Sequence, residues 1–588
     1  MPIWVCTFSA GILADTSQAQ VVTLAFQSFQ GCVDGYKLFH AAQAIGRDGD
    51  FLRVKLQKER IRLEEWATRA GLQGGGPTRR SLRWEHIQEL LEQQRILLTS
   101  SEELRRRYHL NLEEDTRKVA DEENNKPLSG LERLLSTLRP ELYTRNAQAI
   151  QAANNTFKRL RWAVAGREKI SKIIDDLAGI NNELERLLDT ADRAWLQSGL
   201  AVLLREMLSR TTSQTEVLDL QSLLHPASSV EEHAIHAAAT LKRIRLVLEV
   251  DKREGETSPE PGTVGPDSQP SLKLLKRKHL SESSQQSNGI YCAKYKETHV
   301  LVEWRTSTPE LYETLRPHVE RLALLLKDPD ASLSNLQCDG LICHAQKSRF
   351  AFVYNIPLAG DLETEAVPHC YSLRDLVTAQ RKTSLGDRLV IACRVAEAVL
   401  QLHTVGWLHK GLRSENVVFV DETEKRQDLT TNTAPYLVGY EFARPIAAPE
   451  LTASMNTPLS LDLYLHPEKR SHSNIHSCKA FDLYGLATIL IEIALWEPLV
   501  NILARQTGKD WVKRIIDAEA KDKDLALPSL IQHSTKSAFV QEIAHAAGPR
   551  FLEAIEICLN AGNDTSDEAD SSVTSQQKIV DVLQSCSV

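Results

Sequence analysis

The sequence predicts a mainly α-helical protein with an N-terminal helical bundle followed by a two-lobed α+β domain. Apolar residues recur at three- and four-residue steps along 21–39 and 50–66, as on helices with one buried face. Short apolar runs at 300–304, 341–343 and 350–354 are typical of strands, and longer amphipathic segments follow them. The stretch between these two parts is too polar and too rich in proline to bury a core.

Composition and charge narrow the class of protein. The chain has 588 residues, of which 42% are hydrophobic and 25% charged, and this length suits two or three soluble domains. A net charge of −8 gives no case for a nucleic-acid partner. The ten cysteines form no C-x-x-C pair, and the nearest two are Cys338 and Cys343. We therefore expect reduced thiols, no metal site and a cytoplasmic location.

These patterns divide the chain into a bundle over 15–225, a flexible linker over 251–289 and a second domain over 290–585. The first part of the linker holds four prolines among glycine, serine and acidic residues. A small basic cluster follows, formed by Lys273, Lys276, Arg277, Lys278 and His279. Such a cluster can act as a nuclear signal or contact anionic lipid, but a solvated run of charge at a linker edge is the favoured interpretation.

The second helix of the bundle begins near Asp50, whose side chain is suited to cap it. Its apolar positions are Phe51, Leu52, Val54, Leu56, Ile61, Leu63 and Trp66. Its charged positions are expected to face solvent, namely Arg53, Lys55, Lys58, Glu59, Arg60 and Arg62. Residues 146–188 are expected to form one or two further long helices around positions such as Leu160 and Trp162.

The N-terminal segment has two interpretations. Residues 1–14 carry no charge but are too few to span a bilayer, and no other stretch reaches the roughly 18 apolar residues that spanning needs. The first interpretation is a leader that packs on the bundle. The second is a conditional membrane-insertion segment whose apolar residues are Val21, Val22, Leu24, Phe26 and Phe29.

The bundle resembles the fungal HeLo domain, the prion-inhibition and propagation module of heterokaryon-incompatibility proteins. The residues that carry the likeness are Gly46, Asp48, Leu52, Leu56, Glu59, Arg60, Arg62, Leu63, Trp66, Gly71 and Leu72. It extends over about residues 15–225 and is most specific over 21–72. The resemblance implies an α-helical bundle that acts in programmed cell death when an N-terminal segment inserts into membrane.

Residues 409–416 have the frame of a protein-kinase catalytic loop, H-R-D-L-x-x-x-N, with Gly411 in place of the catalytic aspartate. An amphipathic helix over 385–403 precedes this loop, and the strand 417–420 follows it. Gly439 then occupies the aspartate position of D-F-G. Further on, His466-Pro467-Glu468 resembles A-P-E, and a buried helix begins near Asp482. Across about 100 residues the C-terminal half therefore resembles a protein kinase.

The same resemblance identifies what is retained and what is lost. The retained positions are His409, Arg413, Asn416, Glu468 and Asp482, and the side chain of Asp482 is expected to hold the backbone of the loop. The strand 300–304 resembles V-A-I-K, but Glu303 stands where the phosphate-binding lysine should be, and no G-x-G-x-x-G loop precedes it.

These losses predict a pseudokinase that transfers no phosphate. Asn416 is either a surviving metal ligand or a residue that holds the loop backbone, and the second interpretation is favoured. His409 is likewise expected to be a structural hydrogen-bonding residue. No cofactor is expected, since ATP binding is compatible with the sequence but nothing in it supports such binding.

Together the two resemblances imply a fungal signalling or incompatibility protein that couples a HeLo-like cell-death effector to an inactive kinase-like regulator. The expected partners are proteins, further copies of the chain, and membrane contacted through the N-terminal segment. Two alternatives stay open, an active atypical kinase that binds ATP and a non-catalytic scaffold.

Overall fold

The computed structural model describes residues 20–37, 49–73, 79, 82–108, 112–115, 130–139, 159–162, 167–224, 230–254, 272–281, 289–327, 336–356, 368–421, 434–440, 444–445, 459–471, 475–519, 525, 527, 537–563 and 573–586. Residues 1–14, most of the expected linker, and Gly46 and Asp48 lie outside them. The chain forms two compact units, Met1–Leu223 and Leu224–Val588.

The described part of the N-terminal unit is mostly helical. Its helices are α1 over 20–37, α2 Gly49–Ala70, α3 Trp84–Thr99, α4 Ser101–Tyr108, α5 Gly130–Leu138, α6 Arg167–Arg186, α7 Thr190–Arg210 and α8 Gln214–Ser222. Asp189 caps α7 by accepting a hydrogen bond from the backbone of Asp192 at 2.9 Å.

The core of this unit is arranged around α2, which packs against α5, α6 and α7. The apolar positions predicted for α2 are largely buried, including Leu52, Leu63 and Trp66. The indole N–H of Trp66 donates to the carbonyl oxygen of Leu184 at 2.9 Å, so its one polar atom is satisfied inside the core.

The charged face of α2 departs from the prediction. Lys58, Glu59 and Arg60 are buried rather than solvated. The ammonium of Lys58 donates to the carbonyl oxygen of Leu223 at 2.7 Å, and Glu59 pairs with Arg62 at 2.9 Å. Because helices surround α2 on several sides, its polar stripe also lies inside the unit and is satisfied by partners there.

A second departure is a small hairpin where helix was expected. Strand β1, Leu112–Asp115, pairs antiparallel with β2, Arg159–Trp162. Leu160 and Trp162 therefore lie on a strand, and the long helix α6 begins only at Arg167. The period of apolar residues in such a short run does not distinguish helix from strand.

The C-terminal unit begins with helix α9, Val230–Glu254, and continues into a four-stranded antiparallel sheet. The strands are β3 Ile290–Tyr295, β4 Thr298–Thr306, β5 Cys338–His344 and β6 Arg349–Asn355, in the order β3-β4-β6-β5. Helix α10, Pro309–Leu325, lies between β4 and β5 in sequence and starts with proline at its first position. The strands predicted around 300–304, 341–343 and 350–354 are confirmed.

Side-chain alternation gives the sheet two different faces. Val300, Val302 and Trp304 of β4 face a small core that includes Leu275. The intervening residue Glu303 points to the opposite face, where the phenol of Tyr354 contacts it. This alternation aims a buried carboxylate away from that core.

The remainder of the unit is mainly helical. Its helices are α11 Leu373–Thr378, α12 Leu385–Thr404, α13 Leu459–Asp462, α14 Pro467–Ser471, α15 Lys479–Leu495, α16 Leu499–Thr507, α17 Trp511–Glu519, α18 Ser537–Ala547, α19 Pro549–Asn563 and α20 Thr574–Gln584. Helix α15 is buried along nearly its whole length and packs against α12, α16, α18 and α19.

Two small sheets complete the unit. Strands β7 His369–Ser372, β9 Val417–Asp421 and β10 Tyr436–Leu437 form one in the order β10-β9-β7. Strands β8 Trp407–Leu408 and β11 Arg444–Pro445 form the other. Since β8 and β9 flank residues 409–416, both ends of this loop are anchored in a sheet.

The linker expected over 251–289 is shorter in the structure. Helix α9 runs to Glu254, and its Arg245 donates to the carbonyl oxygen of Gly406 at 3.2 Å. Residues 272–281 are also ordered, with Leu275 buried in the sheet core. Leu275 and, in part, Leu280 bury against the sheet, and the composition of the preceding proline-rich residues does not reveal this.

Candidate functional site

The loop over 409–416 is held by its own side chains and backbone. The Asn416 amide nitrogen donates to the carbonyl oxygen of Gly411 at 2.7 Å. The backbone carbonyl oxygen of Asn416 accepts from the backbone N–H of Val438 at 2.9 Å. Asn416 thus makes the backbone contacts expected of a residue that holds the loop, and it ties the loop to the segment after β10.

Asp482, at the start of α15, holds the other end of the loop. Its two carboxylate oxygens accept from the backbone N–H groups of His409 and Lys410, at 2.7 and 2.8 Å. Its third partner is the imidazole of His403, whose Nε2 lies 3.0 Å from one carboxylate oxygen. Burial alone would raise the pKa of Asp482, but these hydrogen bonds and the nearby imidazoles outweigh it and hold the pKa below its ordinary value. This is the backbone contact predicted for Asp482.

His409 is a fully buried structural residue. Its Nδ1 accepts from the backbone of Gly411 at 3.2 Å, so Nε2 carries the proton and donates to the carbonyl oxygen of Val438 at 3.1 Å. Burial lowers the pKa of His409 to about 4, which keeps the ring neutral near pH 7. Both ring nitrogens are occupied, so the ring has no site from which to relay a proton to a ligand.

Glu303 is the central group between the four-stranded sheet and the loop. Its side chain is fully buried. One carboxylate oxygen accepts from the backbone N–H of Gly439 at 3.0 Å and from Arg305 Nε at 2.8 Å, and the other accepts from the phenol of Tyr354 at 2.9 Å. Three donors thus satisfy the carboxylate, which is how a buried charge is accommodated.

The two glycines of the site differ in the room around them. Gly439 has a φ of +87°, and a Cβ built there would lie 2.2 Å from the amide nitrogen of Asn416. No side chain fits at that position without moving Asn416. A Cβ at Gly411 would meet its nearest atoms at 3.5 Å, an ordinary contact. Glycine is therefore required by the backbone at 439 but not at 411.

The remaining predicted residues are less closely involved. Arg413 lies in the loop, where its charge contributes to lowering the pKa of His409. Glu468, in α14, is exposed and forms no ion pair within the described part of the chain. The structure therefore brings Glu303, His409, Asn416 and Asp482 together with both glycines, and leaves Glu468 at the surface.

One buried acidic residue beside the loop was not predicted from the sequence. Glu492 of α15 is fully buried and accepts from the Tyr464 phenol at 2.8 Å and from the backbone of Leu499 at 2.7 Å. The Tyr464 hydroxyl is also 3.0 Å from Ser414 of the loop. Burial raises the pKa of Glu492 to about 7. Its signal in the sequence is a single charged residue in the apolar run 483–495.

The residues of the candidate membrane segment all lie on α1, but they differ in burial. Phe29 is fully buried in the bundle core, and Val21 and Val22 pack partly against it. Leu24 and Phe26 are instead 49% and 42% exposed. Within the described residues, no single helix has the length and apolar content for a span, whereas the pair α15 and α16, bent by 81°, has them taken together.

Comparisons with known proteins concern the N-terminal unit. Residues 20–223 match the family model described as HeLo, prion-inhibition and propagation. The heterokaryon incompatibility proteins s and S of Podospora anserina are each 23% identical over 164 residues, which cover 27% of this chain and 54% of the relative. The chain thus spans about half the length of the curated relatives it matches. The likeness to the HeLo family thus lies in residues 20–223.

Proposed function

We propose that the chain is a fungal incompatibility-type signalling protein in which the HeLo domain is a cell-death effector that acts on membranes. The C-terminal unit is its regulator, a kinase-like domain without phosphotransfer activity. The protein resides in the cytoplasm and is recruited to membrane when triggered, through protein partners or self-association.

The hydrogen bond between Glu303 and the backbone of Gly439 is the observation that carries the proposal for the C-terminal unit. In the kinase resemblance these are the positions of the phosphate-binding lysine and the metal-binding aspartate. Here a carboxylate satisfied by Gly439, Arg305 and Tyr354 stands in their place. A negative group there opposes phosphate binding.

Loss of the remaining chemistry supports the same conclusion. Phosphoryl transfer relies on a positioned carboxylate near the attacking hydroxyl and on metal ions held by side chains. Gly411 and Gly439 have no side chain and supply neither. The side-chain oxygen of Asn416 is the one retained candidate ligand, and its amide nitrogen holds the Gly411 carbonyl. An active atypical kinase would need substitutes for several groups at once.

The effector role rests on the HeLo match and on α1. The matched relatives are named as heterokaryon incompatibility proteins. Leu24 and Phe26 expose apolar surface on the first described helix, while Phe29 anchors that helix in the bundle. The exposed pair lies on the helix that is expected to contact membrane, and together with the HeLo match it supports the effector over the scaffold.

Purified full-length protein with labelled ATP and magnesium tests the regulatory half. We expect no transfer above background and no saturable nucleotide binding. Metal-dependent autophosphorylation that disappears in Asn416→Ala would establish the active kinase instead.

Expression of the chain in a fungal host tests the effector half. Residues 1–230 expressed alone should kill cells more readily than the full chain, because the regulator is absent. Equal viability with both, at matched protein levels, would leave the scaffold as the better account.

A further inference from the structure

Residues 273–281, here named the strap, connect the two edges of the four-stranded sheet. At the β5 edge, the backbone N–H of Leu275 donates to the carbonyl oxygen of Leu341 at 2.9 Å. At the β3 edge, the backbone N–H of Ser281 donates to the carbonyl oxygen of Lys294 at 2.8 Å. The side chain of Leu275 is buried in the core on one face of the sheet. The strap is therefore a fixed part of the unit.

This anchoring presents the basic residues of the strap to solvent. Lys276, Arg277 and Lys278 are all exposed. Lys273 is paired with Asp339 at 2.9 Å, but no carboxylate in the described part of the chain pairs with Lys276 or Lys278. These two charges contribute nothing to holding the strap in place.

The turn between β5 and β6 adds further positive charge beside the strap. Arg277 Nη1 lies 3.1 Å from His344 Nε2, and the guanidinium of Arg349 stacks 4.0 Å from the centre of the Trp304 ring. Lys347 lies between His344 and Arg349 in the sequence and is exposed. The pKa of His344 is lowered first by burial and then by Arg277, Arg349 and Lys347. Among the residues that the structure describes, no carboxylate forms an ion pair with Arg277, Lys347 or Arg349.

We name this surface the basic face, formed by Lys276, Arg277, Lys278, Lys347 and Arg349. Three of its five members are lysines on flexible stems, spread over a strap and a turn rather than converging on one point. Such point charges suit a diffuse layer of headgroups, whereas recognition of one phosphate in a peptide favours converging arginines. Leu274, 56% exposed, adds an apolar side chain next to these charges.

We infer that the basic face docks the C-terminal unit on an anionic lipid surface, with Leu274 entering the headgroup layer. This contact is separate from the N-terminal segment and does not depend on the proposed cell-death activity. It would hold the regulatory unit at the membrane on which the protein acts, before or after its trigger.

Vesicle sedimentation of the full-length protein tests the inference. Leu24→Ser and Phe26→Ser are included throughout, so that exposed apolar residues of α1 do not contribute. The vesicles are phosphatidylcholine alone or phosphatidylcholine mixed with phosphatidylserine. Lys276→Gln, Lys278→Gln and Lys347→Gln together should reduce partitioning onto the mixed vesicles about 100-fold. Binding of the parent protein should also weaken with added salt, since the Debye length falls from about 10 Å at 0.1 M to about 3 Å at 1 M.

A charge-matched variant provides the control. Lys382→Gln, Lys513→Gln and Lys578→Gln remove three exposed positive charges outside the basic face and should bind as the parent does. Equal loss in both triple variants would show a net-charge effect and overturn the inference. Unchanged binding of the first variant, or no binding of the parent to mixed vesicles, would overturn it as well. Retention of the parent on a polyglutamate resin without vesicle binding would assign the face to an acidic protein instead.

Discussion

The backbone N–H of Gly439 donates to the carboxylate of Glu303 at 3.0 Å, and this bond joins the centre of the four-stranded sheet to the segment after β10. The two residues are 136 positions apart in the chain. Gly439 can approach Glu303 in this way only because it has a positive φ and its missing side chain leaves room for Asn416. Glycine at position 439 is thus the residue that the backbone geometry requires.

Alanine at the two glycines should separate these effects. Gly439→Ala places a methyl group 2.2 Å from the Asn416 amide at a φ of +87°, so we expect a loss of about 1–3 kcal/mol or more in unfolding free energy. Gly411→Ala meets only ordinary contacts and should change stability by less than about 1 kcal/mol. Urea denaturation of both variants measures this difference, and equal effects would contradict the geometry described here.

Glu303→Gln tests the buried carboxylate. The amide oxygen can still accept a hydrogen bond, but the negative charge beside Arg305 is lost, and we expect a cost of about 3–5 kcal/mol. Glu468→Gln is the matched control, because Glu468 is exposed and should tolerate the change within about 0.5 kcal/mol. Denaturant midpoints decide the matter, and a Glu303→Gln protein as stable as the control would show that the carboxylate is dispensable.

Local patterns predicted most elements of the C-terminal unit. The short apolar run 300–304 predicted the strand, and the resemblance to a protein kinase predicted the contact of Asp482 with the loop backbone. The partners of Glu303 could not be predicted from local patterns. Tyr354 and Gly439 are distant from Glu303 in sequence and contact it only in the folded unit. The strap was missed because proline and charge outweighed the leucines that bury against the sheet.

In the N-terminal unit, periodicity identified the apolar face of α2 but did not predict that its polar face is also buried. A helical period shows which residues share a side, but it does not count the helices packed around them. Lys58 and Arg60 are buried because α5, α6 and α7 surround α2. Likewise, the sequence does not show which helices pack against α1, so it does not predict that Leu24 and Phe26 are exposed.

Trp66 should be among the most sensitive positions of the HeLo domain. Trp66→Ala removes a nearly fully buried indole, and we expect a loss of about 3–5 kcal/mol. Trp66→Phe keeps an aromatic ring but loses the hydrogen bond to Leu184, so its cost should be smaller, about 1–3 kcal/mol. Thermal melts of the full chain, followed by helical circular dichroism, measure both. Identical melting of Trp66→Ala and the parent would refute the core assignment.

Glu492 should make stability depend on pH. Its pKa is raised by burial from 4.5 to about 7, so between these values the folded protein holds a proton that the unfolded chain releases. Stability should therefore fall as the pH rises through this window, by about 3 kcal/mol in all, and level off above pH 7. Because His409 titrates in part of the same range, the quantity to measure is the difference between the parent and Glu492→Gln. A pH-independent difference would contradict the assignment.

Membrane contact by α1 should depend on its exposed residues and not on its buried ones. Leu24→Asp and Phe26→Asp place charges on surface positions, so the bundle should stay folded, with changes within about 0.5 kcal/mol. Each charge would cost at least about 2.5–3.5 kcal/mol at the centre of a bilayer, so both variants should lose vesicle dye release.

Phe29→Asp is the contrast, because that residue is fully buried and its charge should unfold the bundle itself. Leu24→Asn and Phe26→Asn test whether charge, rather than lost apolar area, is decisive. Dye release by folded Leu24→Asp and Phe26→Asp at the parent's rate would exclude α1 as the membrane-inserting helix.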